Sequence, residues 1–278
     1  MVEADIQGSS AHLDHDWRRK MRRLHSDDRA VRGLIRKWLK AGMLETDGRV
    51  MPPDTGTPQG GVRLPVLANG YLHEALDRWV AKVVQRRCRG EALIRRYADD
   101  LVGAFRCRSD AEGFYQALPQ RLGNCNREVA PEKTRILRFS RFQPGMTRRF
   151  TCLGVAFFWQ EDRQGVPRVK RRTARQTLQH ACQRIKEWMP AHRHLPGQAF
   201  FNGRNARLRG HYRYYGGHGN ADALSRFFAW AMQCACKWLN RRGGKRRRFS
   251  WARLTQIVDA VPSERPRITE VRRRRVYA

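Results

Sequence analysis

Residues 93–105 read LIRRYADDLVGAF, in which two apolar runs flank a tyrosine, an alanine and two adjacent aspartates. Apolar runs this short, separated by polar residues, predict two strands joined by a turn. An aspartate in apolar surroundings must be solvated, paired or bound to a metal, because burying an isolated charge is costly. We therefore expect a hairpin whose tip projects Asp99 and Asp100 away from the core.

A third carboxylate points to a function for this pair. Asp5 lies in VEADIQG, after a short strand-like start, and we expect it at the edge of an adjacent strand. Carboxylates gathered at the end of a sheet offer the hard oxygen ligands that Mg²⁺ takes, and the sequence contains no Cys/His cluster for a softer metal. The alternative is that Asp99 and Asp100 serve only as turn residues, since aspartate is common in turns.

The composition indicates a large anionic partner. The chain has 278 residues, enough for one large domain or two small ones, and a formal net charge of +32. Charge of one sign at this density indicates a polyanionic partner.

No stretch approaches the roughly 18 apolar residues of a membrane span, and the first residues lack a signal-peptide pattern, so we expect a cytoplasmic protein with no membrane partner. The seven cysteines form no C-x-x-C pair, which argues against a zinc ribbon.

Most of the positive excess lies in the C-terminal half. Residues 1–150 contain 18 of the 25 acidic side chains, and between Glu187 and Asp259 the only acidic residue is Asp222. The stretches RNARLRGHYRYYG and RRGGKRRRFSW fall in this region. Such charge predicts a surface that binds a phosphate backbone, with a merely solvated face as the alternative.

The apolar spacing separates the same two halves. In the first, helical periodicity covers 17–42 and 66–84, and strand-like runs cover 93–98, 101–106 and 150–160. Helices on one face of a small sheet make an α+β domain, which we predict at 1–168. The helices predicted in the second half are 171–189, 199–216, 220–242 and 250–261. We therefore predict an all-α basic domain at 169–278.

Four motifs occur in an order that a known family shares. They are GTPQGGVRLPVLANGYLHEALDRW at 56–79, RRYADDLVGAF at 95–105, PEKTRILRF at 131–139 and FTCLGVAF at 150–157. Together they resemble the palm of reverse transcriptases, most closely the group II intron-encoded reverse transcriptase/maturase family. LRGHYRYYG at 208–216 is similar to that family's maturase domain, also called thumb or X. The resemblance implies a polymerase-type palm, a small antiparallel sheet with helices on one face, followed by an all-α basic thumb.

The resemblance also implies roles for residues of the palm. Asp5 and Asp99 would hold two Mg²⁺ ions, with Asp100 assisting, and Lys133 would lie near the nucleotide triphosphate. The residues implied to contact the substrate are Ser10, Pro58, Gln59, Gly60 and Tyr97. Residues 150–158 would form the hairpin that grips the primer.

The basic half would hold RNA. Arg209 and Arg213 lie one helical turn apart and would contact successive phosphates. The full set expected to bind RNA is Arg207, Arg209, Tyr212, Arg213, Lys245 and Arg246. The alternative is that Tyr212 and Tyr215 belong to a core and the arginines are only solvated, because aromatic residues at helical spacing are usually buried.

The chain also departs from the family pattern. In DIQGSSAHLDH, residues Ser9, Ser10 and Ala11 replace the expected Phe, Phe and Asp, so Ser10 leaves unfilled the position that blocks a ribose 2′-hydroxyl. Only four residues precede Asp5, where the family has a fingers region that closes on the nucleotide. We expect an N-terminally truncated homologue with little or no polymerase activity of its own.

Two functions are consistent with these observations. The first is a group II intron reverse transcriptase/maturase, an RNA-directed DNA polymerase that uses two Mg²⁺ ions and binds intron RNA to aid splicing. Its partners would be intron RNA, an RNA template, a DNA primer and dNTPs, with a dimer or a complementing fingers fragment as open alternatives. The second is a catalytically inactive homologue that acts only as an RNA-binding, maturase-like protein.

Overall fold

The computed structural model describes residues 1–7, 28–30, 33, 37, 43–44, 50–51, 64–145, 148–241 and 264–270. The chain divides into two compact units, Met1–Arg138 and Phe139–Ala278. Most of the helix predicted for 17–42, and all of the one predicted for 250–261, lies outside the described residues. The division after Arg138 comes earlier than the palm–thumb boundary expected at 168/169, which remains a prediction.

The first unit is built on an antiparallel sheet. The strands of this unit are β1 (Val2–Gln7), β2 (Met43–Leu44), β3 (Val50–Met51), β4 (Ala92–Tyr97), β5 (Asp100–Phe105), β6 (Glu128–Val129) and β7 (Arg135–Ile136). The main sheet has the order β4-β5-β1-β6, and β7 also pairs with β1, while β2 and β3 form a separate ladder. The N-terminal strand thus lies inside the sheet, between β5 and β6.

Helices cover one face of the main sheet. The first, α1 (Leu64–Leu72), continues through π-helical turns at His73–Asp77 and Val80–Val84 into α2 (Gln85–Arg87), and α3 (Arg108–Gly123) follows β5. Because side chains alternate along a strand, β1 buries one set against the helices and leaves Glu3 and Asp5 half-buried on the other face. The main core residues are Val2, Ala4, Ile6, Tyr71, Leu72, Leu76, Ile94, Leu101, Phe114, Leu118 and Leu122. The predicted α+β class, with helices on one face of a small antiparallel sheet, is confirmed.

The second unit contains a three-stranded antiparallel sheet. Its strands, β8 (Phe150–Cys152), β9 (Val155–Glu161) and β10 (Pro167–Thr173), have the order β10-β9-β8. The turn between β8 and β9 contains Leu153 and Gly154, with φ values of 51° and 73°. A Cβ atom at Gly154 would lie 2.8 Å from the Tyr215 hydroxyl, so this turn requires glycine for space as well as for conformation.

Three helices follow this sheet, and they confirm three of the four helices predicted in the C-terminal half. They are α4 (Arg175–His192), α5 (Gly197–Tyr215) and α6 (Ala221–Leu239). The predicted start at residue 171 is wrong, because residues 171–173 complete β10 opposite residues 155–157 of β9. Ala174 then donates its backbone N–H to the Gly154 carbonyl at 2.9 Å. Cross-strand pairing here overrides the local helical spacing.

The second unit has its own core. Its main members are Ile185, Trp188, Met189, Phe200, Leu208, Tyr212, Phe227, Met232 and Leu239. Residues 264–270 are tied to it, since the backbone N–H groups of Thr269 and Glu270 donate to the Gly216 carbonyl at 2.9 and 3.1 Å. Along the described ranges, no helix is both long enough and apolar enough to cross a membrane.

Candidate active site

A row of polar side chains crosses three adjacent strands on the face of the main sheet that the helices leave open. Asp5 on β1 lies directly opposite Asp100 on β5, and Asp100 lies directly opposite Tyr97 on β4. Directly opposed residues in an antiparallel pair have Cβ atoms about 4.5–5.5 Å apart, on the same face of the sheet. The sheet register therefore brings together two of the three carboxylates that the sequence singled out.

The turn between β4 and β5 contains Ala98 and Asp99. Ala98 has a φ of 53°, in the left-handed region that non-glycine residues seldom adopt. The Asp99 carbonyl accepts a hydrogen bond from the Ile6 backbone N–H at 3.2 Å, which ties the turn to the end of β1. The expected hairpin is present. Its turn contains Asp99, which directly precedes Asp100 in the chain, and Asp100 is the cross-strand partner of Asp5.

The carboxylates of this row influence one another electrostatically. Partial burial raises the pKa of Asp100, and the negative charges of Asp5 and Asp99 raise it further. The positive charge of Lys133 acts in the opposite direction. A site in which carboxylates disfavour one another's charge gains free energy when a cation joins it.

Lys133 supplies such a cation from the protein itself. Its Nζ atom donates to Asp5 Oδ2 at 2.5 Å, and this hydrogen bond raises the pKa of Lys133. The segment before Lys133 is also fixed to Asp5, since the Asp5 carbonyl accepts a hydrogen bond from the Ala130 N–H at 2.8 Å. The role expected for Lys133 near a triphosphate stays a prediction, and the structure brings this side chain to Asp5.

The carboxylate oxygens of Asp5, Asp99 and Asp100 are suitable ligands for divalent cations. Carboxylate oxygens are the ligands that Mg²⁺ prefers, and the pKa of Asp100 is raised first by partial burial and then by the negative charges of Asp5 and Asp99. Within the described ranges, however, no three His, Cys, Asp or Glu side chains are already arranged to hold a metal ion. Lys133 occupies Oδ2 of Asp5 instead, so a metal ion that takes this oxygen must displace the ammonium group.

Arg96 is a residue of this site that the sequence argument missed. It precedes Tyr97 on β4 and pairs with the buried Leu101, so its side chain is directed toward the helix-covered face. There its guanidinium contacts Asp77 at 2.7 Å. The signal was available, since an arginine at a core-facing position of a strand requires a partner to compensate its buried charge.

The arginines expected to bind RNA lie on α5, and their surroundings differ. Arg207 stacks over the Trp188 ring at 4.1 Å and donates to the Gly203 carbonyl at 3.0 Å. Arg209 is paired with Glu264 at 2.7 Å. Arg213 is exposed, one helical turn beyond Arg209. Of the three, Arg213 is the most readily available to a phosphate.

Tyr212 does not lie on this surface. Its side chain is 1% exposed and belongs to the core of the second unit. The prediction that Tyr212 binds RNA is therefore wrong, because helical periodicity places this ring on the buried side of α5. Tyr214 is the exposed aromatic residue of this stretch, at 61%. The other predicted site residues, Ser10, Pro58, Gln59, Gly60, Lys245 and Arg246, lie outside the described residues.

Comparison with known families gives a match over more than half of the chain. The family model described as "Reverse transcriptase (RNA-dependent DNA polymerase)" matches residues 1–157. This range contains Asp5, Asp99, Asp100 and Lys133.

Two curated proteins are similar over shorter segments. Group II intron-encoded protein LtrA of Lactococcus lactis subsp. cremoris is 43% identical over 82 residues, which cover 30% of this chain and 13% of that protein. A Schizosaccharomyces pombe protein described as an uncharacterized 91 kDa protein in cob intron is 38% identical over 79 residues, 28% of this chain and 10% of that one. The matched segments thus span a small part of either relative.

Among solved structures, telomerase from Candida albicans, in complex with the TWJ fragment of telomeric RNA, covers 94% of this chain and 47% of its own. The TM-score is 0.43 at 10% identity.

Proposed function

The chain belongs to the reverse transcriptase (RNA-dependent DNA polymerase) family, and we propose that it acts as an RNA-directed DNA polymerase of the group II intron type. The observation that carries this proposal is the cross-strand pair of Asp5 and Asp100, with Asp99 in the adjoining turn. Similarity to a group II intron-encoded protein supports the assignment to that type.

In this proposal the protein positions the reacting groups around the carboxylate row. Asp5, Asp99 and Asp100 would hold two Mg²⁺ ions, which when bound supply charge neutralisation at the phosphates and an activated hydroxyl nucleophile. Tyr97 is 67% exposed beside Asp100 and would contact the primer end. Lys133, once released from Asp5, would be free to neutralise a triphosphate oxygen.

Nucleic acid would be held by the basic side chains of the second unit. Arg213 is exposed on α5, and the exposed ring of Tyr214 follows it in the chain. Phosphate contacts of this kind fix a nucleic acid in place without reading its sequence. Template RNA and intron RNA are the proposed ligands of this surface, and a DNA primer and dNTPs complete the set of partners.

A second function, RNA binding without catalysis, is favoured by one observation. Lys133 already neutralises Asp5 at 2.5 Å, so this carboxylate has a partner without a metal ion. A chain in which that ion pair persisted would still present its basic surface to RNA and would act as a maturase-like protein.

Primer extension separates the two functions. We expect slow extension of a DNA primer on an RNA template with Mg²⁺ and dNTPs, reduced at least about a hundredfold by Asp99→Ala, since charge stabilisation in a transition state contributes several kcal/mol. RNA affinity should be nearly unchanged, because a carboxylate only repels the phosphates.

Glu112→Gln is the matched control, since Glu112 pairs with Arg108 on the surface of the same unit. Equal extension by the wild type and Asp99→Ala would contradict the proposal. An inactive wild type that binds RNA would favour the second function.

A further inference from the structure

Arg96 occupies an unusual position for a charged residue. Strand alternation places it on the same face of β4 as the buried Ile94, and its side chain is only 10% exposed. A guanidinium group in such surroundings needs hydrogen-bond acceptors for its donors, because it remains charged at any physiological pH. The groups that accept these hydrogen bonds indicate what Arg96 does.

One side of the guanidinium binds a carboxylate. Arg96 Nε donates to Asp77 Oδ1 at 2.8 Å, and Nη2 donates to Asp77 Oδ2 at 2.7 Å. Two parallel charge-assisted hydrogen bonds of this kind fix both groups in one plane. Although partial burial favours the neutral acid, the hydrogen bonds and charge of Arg96 hold the pKa of Asp77 below its ordinary value. Asp77 is therefore an ionised anchor at the end of the π-helical turn His73–Asp77.

The other side of the guanidinium binds the turn that carries the aspartates. Arg96 Nη1 donates to the Ala98 carbonyl at 2.8 Å and to Asn69 Oδ1 at 3.0 Å. Ala98 is the residue with a φ of 53°, in the left-handed region that is unfavourable for an L-residue with a side chain. Its carbonyl is thus held by a side chain that is itself fixed to the helical segment.

We propose that Arg96 and Asp77 are positioning residues, which hold the Ala98–Asp99 turn so that Asp99 and Asp100 stand next to Asp5. This inference rests on the proposed function, because it gives the pair a purpose in catalysis. Neither residue touches the reacting atoms. They act through the backbone of the turn, and misplacement of a reacting group by about 1 Å can reduce a rate a hundredfold.

Lysine cannot replace arginine in this arrangement. An ammonium group is a point charge that could still pair with Asp77, but it lacks the planar fork that reaches Asp77 and the Ala98 carbonyl together. Arg96→Lys therefore separates charge compensation from positioning. Asp77→Asn removes the anchor while it keeps the size of the side chain.

The test combines a structural measurement with kinetics. In Arg96→Lys and Asp77→Asn we expect the Ile6 and Asp100 amides to exchange at least about tenfold faster, because both variants weaken the charge-assisted hydrogen bonds that hold the turn. The luminescence of Tb³⁺ alone, sensitised by Tyr97, should report binding to the carboxylates about tenfold weaker than in the wild type. Primer extension should lose kcat with little change in KM for dNTPs.

Two further variants keep the outcome clear. Arg108→Gln breaks the exposed ion pair with Glu112 in the same unit and should change none of these readouts. The exchanged pair Arg96→Asp with Asp77→Arg can restore the ion pair but cannot donate to the Ala98 carbonyl from β4, so stability should recover while the turn amides still exchange fast.

Wild-type exchange and Tb³⁺ affinity in both Arg96→Lys and Asp77→Asn would overturn the inference, as would full recovery of the turn in the exchanged pair. If the wild type extends no primer, the proposed function fails, while the exchange rates still test the positioning role.

Discussion

At the scale of single residues, the ion pair of Lys133 with Asp5 places a cation from the protein at one of the carboxylates. The two residues are 128 positions apart in the chain, and they meet because the segment after β6 returns alongside β1. The Lys133 side chain is 64% exposed, whereas that of Asp5 is 15% exposed. The lysine can therefore leave into solvent without disturbing the core, while the aspartate stays in place.

Lys133→Met should increase the affinity of the site for a divalent cation. The substitution keeps most of the length of the side chain and removes the competing charge. Exposed ion pairs contribute about 0.2–1 kcal/mol, so the gain in affinity is up to about fivefold. Mn²⁺ titration by isothermal calorimetry measures this affinity. Arg135→Met is the control, because Arg135 pairs with Glu3 one step along the same face of β1. Weaker Mn²⁺ binding by Lys133→Met would show instead that the lysine supports the site.

At the scale of elements, α5 has one face that is buried in the core and an opposite face that is exposed and carries arginines. Phe201, Leu208 and Tyr212 are buried in the core of the second unit, while Arg209 and Arg213 lie on the exposed side. Glu264, from the segment 264–270, is paired with Arg209. Arg209 is therefore less available to a phosphate than Arg213, because it already has an anionic partner.

Arg213→Ala should reduce the salt dependence of RNA binding more than Arg209→Ala does. Each phosphate contact contributes about 0.9 to the slope of log K against log salt, and we expect Arg213→Ala to lose about one such contact. Glu264→Gln should steepen the slope by up to about one, because it releases Arg209. Filter binding from 50 to 200 mM salt measures these slopes.

Tyr212→Phe, which removes a buried hydroxyl, is the folded control with an unchanged slope. Equal effects of Arg209→Ala and Arg213→Ala would contradict the assignment.

At the scale of the whole molecule, the chain has two separate hydrophobic cores and a formal net charge of +32. One core lies within Met1–Arg138 and the other within Phe139–Ala278. The second contains a titratable group in an apolar site, since His211 is 9% exposed and its ring lies 4.1 Å from that of Phe227. Burial lowers the pKa of His211 to about 4. The imidazole is therefore neutral in the folded state at pH 7.

The stability of the second core should fall as the pH is lowered. The pKa of His211 in the folded state lies below its ordinary value of 6.5, so the unfolded state binds the proton first and stability is lost from about pH 6.5 down to about pH 4. Between pH 7 and pH 5 this amounts to about 2 kcal/mol of unfolding free energy. Hydrogen exchange at α5 and α6 amides, corrected for intrinsic rates, measures the loss. In His211→Phe this share of the pH dependence should disappear, and an identical loss in both proteins would contradict the prediction.

Much of the architecture and the aspartates of the candidate site could be predicted from the sequence, because the signals that predict them are local. Strand alternation and turn chemistry act over a few residues, so LIRRYADDLVGAF was sufficient to predict β4, β5 and the position of Asp99 and Asp100 in or beside the turn. Helical spacing likewise predicted α4, α5 and α6. The ordered motifs carried the family assignment, which the match over residues 1–157 confirms.

The remaining features depend on contacts between residues that are distant in the chain. Residues 171–173 have helical spacing but join β9 in a sheet, because paired backbone groups outweigh local propensity. Whether Tyr212 faces RNA or a core depends on which side of α5 the other helices cover. The partners of Lys133 and Arg96, Asp5 and Asp77, are set by how strands and helices come together, since a side chain's spacing along the chain carries no information about which distant carboxylate it will meet.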